Sequence, residues 1–160
     1  MCVCKIFRKR EGGVVRYSFS SSIQGGLADV VFTLENKEVV PVHRSIIVAR
    51  SSTLRQMLQD VKIKSKRLIG PPALVKEVLK FLYCAMPPAN LESIATKLLP
   101  VAHQYGVINF RALCERALRR ILTVENLVDI LVLAEVNDCH GLITFCLPFY
   151  KANALRSRFR

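Results

Sequence analysis

The residues of this chain best suited to chemistry are three histidines, His43, His103 and His140, and six cysteines, Cys2, Cys4, Cys84, Cys114, Cys139 and Cys146. A closed zinc site needs four soft or nitrogen ligands at separated, paired spacings. Cys139-His140 with Cys146 supplies the right atoms but not that spacing, and it reads as core cysteines at helical intervals. Cys2-x-Cys4 is too short to close such a site. Nucleophilic catalysis needs a base and an orienting group around the nucleophile, and no Ser, Cys or Thr stands in such a pattern. Gly12-Gly13 and Gly25-Gly26 do not join a strand to a helix, so no phosphate loop is present. Neither a catalytic set, a metal site nor a cofactor site is expected, and no small-molecule substrate. His43 lies at a strand-to-helix corner, where an imidazole holds a turn by hydrogen bonds. What remains is interaction surface.

Charge locates part of that surface. The net charge is +12. Residues 1–16, 61–67 and 151–160 each sum to +4, while the other basic and acidic residues cancel. The folded body is therefore close to neutral and the basic character sits in two tails and one loop. A surface built for nucleic acid would carry its charge on the body, so nucleic acid is an unlikely partner. The tails leave room for salt-sensitive attraction to anionic partners, and a transcription- or nucleic-acid-associated cofactor is the third functional reading. At 51% apolar and 22% charged residues, the composition is that of a globular protein. No apolar run approaches the roughly 20 residues of a transmembrane helix. MCVCKIFRKR has no following apolar segment, so no secretory signal is read. The cysteines are then reduced thiols, with the nucleus and/or the cytoplasm as the expected location. Cys2 and Cys4 beside a polybasic run allow two readings, an acylated anchor or a frayed basic tail.

The elements follow from hydrophobic period. Val30, Phe32 and Leu34 alternate with Val31 and Thr33, as in a half-buried strand. Glu35-Asn36-Lys37-Glu38 forms the loop, with Asn36 suited to a left-handed turn position. Val39, Val40 and Val42 return, and Pro41 confines that strand to an edge or to one-sided pairing. Ile46, Ile47 and Ala49 begin a helical period, and Ser51 or Ser52 caps a second short helix carrying Leu54, Met57 and Leu58. Val61, Ile63, Leu68 and Ile69 offer a short third strand. Helices are expected from Pro71-Pro72 to Tyr83, from Leu91 to Tyr105 across Pro100, from Asn109 to Ile121, from Thr123 to Ala134, and from Asn137 or Asp138 to Phe149. Arg111, Arg116, Arg119 and Arg120 are expected to project outward. The sum is an α+β fold, a small sheet on a helix-rich single body. Residues 1–26 read as a mostly disordered lead and 154–160 as a basic tail.

The order D-V-x-F, V-H-R-S-I-I-x-A-R-S-S, L-R-x-M-L resembles the opening of a BTB/POZ domain. Asp29, His43, Arg44, Ala49, Arg50, Ser51 and Met57 stand at matching places, and Leu54 stands where the family usually shows Phe. FLYCAMPP, LLPVAHQYGVINFRALCERAL and LTVENLVDILVLAEVNDCHGLITFC resemble the remainder, most closely in speckle-type, MATH-linked members. There the first of these reads FiYtG. The resemblance divides the chain into a BTB/POZ domain over 27–122 and a three-box or BACK-like helical pair over 123–153.

The resemblance implies a protein–protein interaction module, not an enzyme. Its leading expected role is adaptor for a cullin-3 ubiquitin ligase. The alternative is a BTB-only homo- or hetero-dimerisation partner that recruits no ligase. By the same resemblance the cullin-type face comprises Met57, Leu58, Val61, Ile63, Lys64, Tyr83 and Leu127. The dimer interface would use Leu27, Asp29, Ile46 and Arg50, and His43 and Ser51 are structural. Asp29 is either paired with Arg44 or Arg50, or an exposed strand-start carboxylate. The family's cullin loop carries a hydrophobic-x-Glu element. Here Gln59 to Arg67 contains no Glu and places lysines instead. No MATH domain, kelch repeat or zinc finger stands in the sequence, and SFSSSIQGG replaces the amphipathic helix that often precedes the first strand.

Overall fold

Two apolar runs of period two meet first. Strands Val30–Thr33 and Val39–Val42 pair antiparallel, Val30 opposite Val42 and Phe32 opposite Val40, and all four of these side chains are buried. The computed structural model describes residues 8–11, 14–17 and 28–157. Numbered in chain order, the strands are β1 Arg8–Glu11, β2 Val14–Tyr17, β3 Val30–Thr33, β4 Val39–Val42 and β5 Ser65–Arg67. The helices are α1 Arg44–Arg50, α2 Ser52–Met57, α3 Pro72–Cys84, α4 Leu91–Gln104, α5 Ile108–Arg120, α6 Leu127–Val136 and α7 His140–Ser157. This is the expected α+β fold, a small sheet with seven helices among the described residues.

The sheet order is β4–β3–β5. The Leu34 N–H donates to the Glu38 carbonyl at 2.8 Å, which puts Val31 and Pro41 at a non-hydrogen-bonded pair. Pro41 therefore costs the ladder nothing, and β4 lies at the edge as its proline requires. The hairpin loop departs from expectation in one residue. Lys37, not Asn36, takes the left-handed conformation, with φ 65°. Asn36 instead turns the chain with its side chain, its Oδ1 accepting the Glu38 N–H at 3.1 Å. The third strand is also shorter than the apolar residues suggest. Only Ser65–Arg67 pairs, parallel to β3, while Val61 and Ile69 are exposed. In the lead, expected to be mostly disordered, β1 and β2 pair as an antiparallel hairpin with Glu11 opposite Val14. Gly12-Gly13, two glycines ahead of the Val14-Val15-Arg16-Tyr17 run, is the sequence signal for such a hairpin.

The chain divides into two compact units, Met1–Met86 and Pro87–Arg160, in place of the single body expected. Pro87 and Pro88 have no N–H to donate, so the α3 ladder cannot run on past them. Within the first unit, Ser51 ends α1 and caps α2, its Oγ accepting the Leu54 N–H at 3.0 Å. Helix α3 buries Val75, Val78, Leu79, Phe81 and Leu82. It ends at Ala85, whose φ is 54° and whose N–H reaches the Phe81 carbonyl at 2.8 Å. This is a left-handed helix terminus, which favours glycine; the resembling motif FiYtG has glycine there.

In the second unit, α4 buries Ala95, Leu98, Leu99, Val101 and Ala102, and α5 buries Phe110, Cys114, Ala117 and Leu118. Gly106, with φ 60°, closes α4. Asn109 does not cap α5, because the helix already begins at Ile108 with Val107 at its N-cap. Helix α6 begins later than Thr123. Thr123 and Asn126 face each other, with the Thr123 N–H donating to Asn126 Oδ1 at 2.8 Å and the Asn126 N–H to Thr123 Oγ1 at 3.4 Å. Helix α7 likewise starts past the expected cap, at His140. Asn137 closes α6, donating its Nδ2 to the Leu133 carbonyl at 2.7 Å, and Asp138 has φ 52°.

One side chain sets the path between α2 and β5. The Arg44 guanidinium donates to the carbonyls of Leu58 and Ile63, to that of Asp60 at 3.2 Å and to that of Val61 at 3.4 Å. Its Nε lies 3.8 Å from Asp29 Oδ2, and its backbone N–H donates to Asp29 Oδ1 at 2.8 Å. That backbone hydrogen bond, with the guanidinium beside it, holds the Asp29 carboxyl below its ordinary range. Asp29 thus pairs with Arg44 and not with Arg50. Lysine has no planar fork with which to reach four carbonyls.

Arg44→Lys will therefore cost about 1 kcal/mol in urea unfolding and speed tryptic cleavage after Lys62 and Lys64. The lowered pKa of Asp29 stabilises the fold at neutral pH. That contribution is complete above the unfolded carboxyl value and is lost as pH falls through the lower folded value. Asp29→Asn will accordingly flatten the stability profile below about pH 4, read by acid titration of the melting midpoint. Ala85→Gly will stabilise the chain by about 1 kcal/mol, measured in the same urea series.

Candidate functional site

The loop held by Arg44 is the most exposed apolar feature of the first unit. Val61 is 73% exposed, Ile63 is half-buried, and Lys62 and Lys64 are exposed on either side. Local bonds shape it further. Asp60 Oδ1 accepts the Lys62 N–H at 2.8 Å, and the Ile63 N–H reaches the Asp60 carbonyl at 3.1 Å. Met57, at the end of α2, is half-buried. Leu58 is not surface: at 2% exposure it belongs to the core, as Leu127 does at 3% in the second unit. Both follow the inner stripe of their helices, so they position a face and offer no contact themselves.

Tyr83 is half-buried and engaged. Its hydroxyl accepts the His43 N–H at 2.8 Å and lies 3.1 Å from His43 Nδ1. The two rings meet edge-on at 6.0 Å. His43 thus fastens the end of β4 to α3, in the corner role its position suggests, and sets the start of α1, where Arg44 follows. Arg50, exposed, donates its Nη1 to the Leu82 carbonyl at 2.9 Å and ties the other end of α1 to α3. Of the expected dimer residues, Asp29 and Arg50 are exposed and Ile46 half-buried; Leu27 lies outside the described residues, as do Cys2 and Cys4. The structure thereby ties Val61 and Ile63 to Arg44 and Tyr83 to His43, while Met57 and Lys64 are neighbours of that loop along the chain.

The second unit carries a feature that period reading overlooks. Val124, Val128, Val132 and Val136 are each between 54% and 73% exposed. Val128, Val132 and Val136 stand at the four-residue spacing of a ridge along α6, and Val124 lies in the turn before that helix. Leu127, Ile130 and Ala134 bury the opposite side, and their stronger inner signal hides the ridge in the sequence. Two arginines expected outside are half-buried. Arg111 pairs with Glu115 at 3.6 Å and with His103 Nδ1 at 3.3 Å. The Arg119 guanidinium sits 5.4 Å from the centre of the Phe145 ring, a cation–π arrangement, and its Nε is buried without a hydrogen-bond partner among the described residues. Phe145, expected inside, is 46% exposed because it covers this arginine.

Cys114, Cys139 and Cys146 are buried. Burial pushes the Cys114 and Cys139 thiols up to about 12 and raises that of Cys146, which leaves them protonated and poor nucleophiles. Among the described residues, no group of three His, Cys, Asp or Glu could hold a metal ion. No helix there is long and apolar enough to cross a membrane.

Comparison with known proteins completes the picture. The BTB/POZ domain model matches residues 19–122. Mouse TD and POZ domain-containing protein 1 is 34% identical over 113 residues, 67% of this chain and 31% of that protein. Mouse TD and POZ domain-containing protein 5 is 34% identical over 120 residues, 70% of this chain and 35% of its own length. The chain thus spans about a third of the length of these relatives. Among solved structures, the BTB domain of zebrafish PATZ1 has a TM-score of 0.55 at 16% identity, covering 63% of this chain and 85% of that one. The BTB domain of human gigaxonin has a TM-score of 0.51 at 22% identity, covering 59% and 80%. Those two likenesses carry the fold, while the family match carries membership: the chain belongs to the BTB/POZ domain family, non-enzymatic modules that dimerise and bind other proteins.

Proposed function

We propose that the chain is a speckle-type POZ-like adaptor that docks on a cullin-3 ubiquitin ligase scaffold, in the nucleus and/or cytoplasm. The observation that supports this reading is the braced loop, which holds exposed Val61 and half-buried Ile63 on a path set by Arg44. A preformed apolar loop loses less entropy on binding than a mobile one. Tyr83 is bonded to His43, the residue next to Arg44. In this reading the 27–122 stretch is the BTB/POZ body and 123–153 the three-box-like pair, and dimerisation through Leu27, Asp29, Ile46 and Arg50 doubles the scaffold contact.

A second reading is favoured by Lys62 and Lys64. They place positive charge where the resembling families place an acid, and like or missing charge at an interface rim redirects partner choice. The chain would then pair with other BTB chains and compete with ligase-recruiting members.

Light scattering after size-exclusion chromatography, alone and with the amino-terminal cullin-3 fragment, separates the two. The adaptor reading expects a complex at micromolar concentration, lost in Ile63→Asp and strengthened about tenfold in Lys64→Glu. No complex at low salt overturns it. Mixed dimers with related BTB domains and no scaffold complex establish the second reading in its place.

A further inference from the structure

The geometry points to strand β5 as a docking edge for an extended, acidic segment of a partner protein. This does not rest on the scaffold reading, because it uses the backbone of β5 rather than the apolar loop before it. The Val31 N–H donates to the Lys64 carbonyl at 2.9 Å, and the Leu68 N–H donates to the Thr33 carbonyl at 2.9 Å. With Val31 opposite Ser65 and Thr33 opposite Arg67, the parallel ladder uses the main chain of Lys64, Lys66 and Leu68. The N–H and C=O groups of Ser65 and Arg67 therefore point away from β3. No described strand lies on that side, since the order is β4–β3–β5. Ser65 and Arg67 are both exposed.

The two edges of the sheet are unequal. On β4 the outward positions are Val39 and Pro41, and Pro41 has no N–H, so that edge is blunted. On β5 the donors are intact, and an edge with intact donors and acceptors is what an added strand pairs with. Charge selects the occupant. Lys62, Lys64, Lys66 and Arg67 crowd this segment. The two acids at its ends are already engaged: Asp60 accepts the Lys62 N–H, and Glu35 Oε1 accepts the Gly70 N–H at 3.0 Å. A second copy would bring like charge to like charge, the usual protection of an edge strand against self-pairing. An extended segment bearing alternate carboxylates and apolar residues meets the same edge with opposite charge, and exposed Ile69 flanks it with apolar surface.

The test uses the full chain and a fluorescein-labelled peptide of five Glu-Val repeats, followed by fluorescence anisotropy and residue-resolved amide exchange. Binding should weaken as salt rises. The Ser65 and Arg67 amides should slow by about tenfold or more on peptide addition, while that of Lys66, already in the ladder, stays unchanged. Ser65→Pro removes one outward donor without touching the β3 ladder, and should weaken binding about tenfold with the melting midpoint preserved. Should that variant fail to fold, the exchange pattern of the unaltered chain decides alone. Equal binding by a folded Ser65→Pro variant, protection confined to other residues, or no binding at low salt overturns the proposal.

Discussion

The first unit depends on one guanidinium. Four carbonyls between α2 and β5, those of Leu58, Asp60, Val61 and Ile63, need donors, and the interval is too short for a helix or strand to supply them. Arg44 supplies several from a single fixed plane while its own backbone N–H and Nε engage Asp29 at the start of β3. One residue thus couples β3, α1 and the loop that leads to β5. His43 beside it is bonded to Tyr83 on α3. The corner V-H-R therefore positions the features on which partner binding would turn, although neither His43 nor Arg44 is itself strongly exposed.

Much of this was legible in the residues, and the reasons are local. Alternating Val30, Phe32, Val40 and Val42 announce their strands because period two is imposed by the pleat itself. Ser51 announces a cap because its hydroxyl satisfies an amide three residues on. Pro41 announces an edge because it lacks a donor. Less legible were choices between neighbours of similar fitness. Lys37 takes the left-handed position that suits Asn36 because the Asn36 side chain is worth more as an acceptor. Asn109 loses the cap of α5 because Val107 follows directly on the Gly106 turn.

The surface was harder to read than the core. Charge alone placed Arg111 and Arg119 outside, but long aliphatic stems and a planar head allow arginine to lie along a helix pair, and Phe145 then serves as cover for Arg119 instead of core. The valine ridge of α6 escaped notice for a related reason. A helix with apolar residues on both sides gives a weak amphipathic signal, and the inner side of α6 is the stronger one. The β1–β2 hairpin lies in a lead that reads as mostly disordered, because its Gly, Ser and basic residues outweigh the single Gly12-Gly13 turn signal.

The buried thiols of α5, α6–α7 and α7 give the helical unit a built-in clock. Protonated and shielded while the unit is closed, Cys114, Cys139 and Cys146 become available to a thiol reagent only when their helices separate. Exposed Cys84, at the end of α3 in the other unit, carries no such delay. The rate at which the three join it in reacting measures how often the second unit opens, with no label added to the chain.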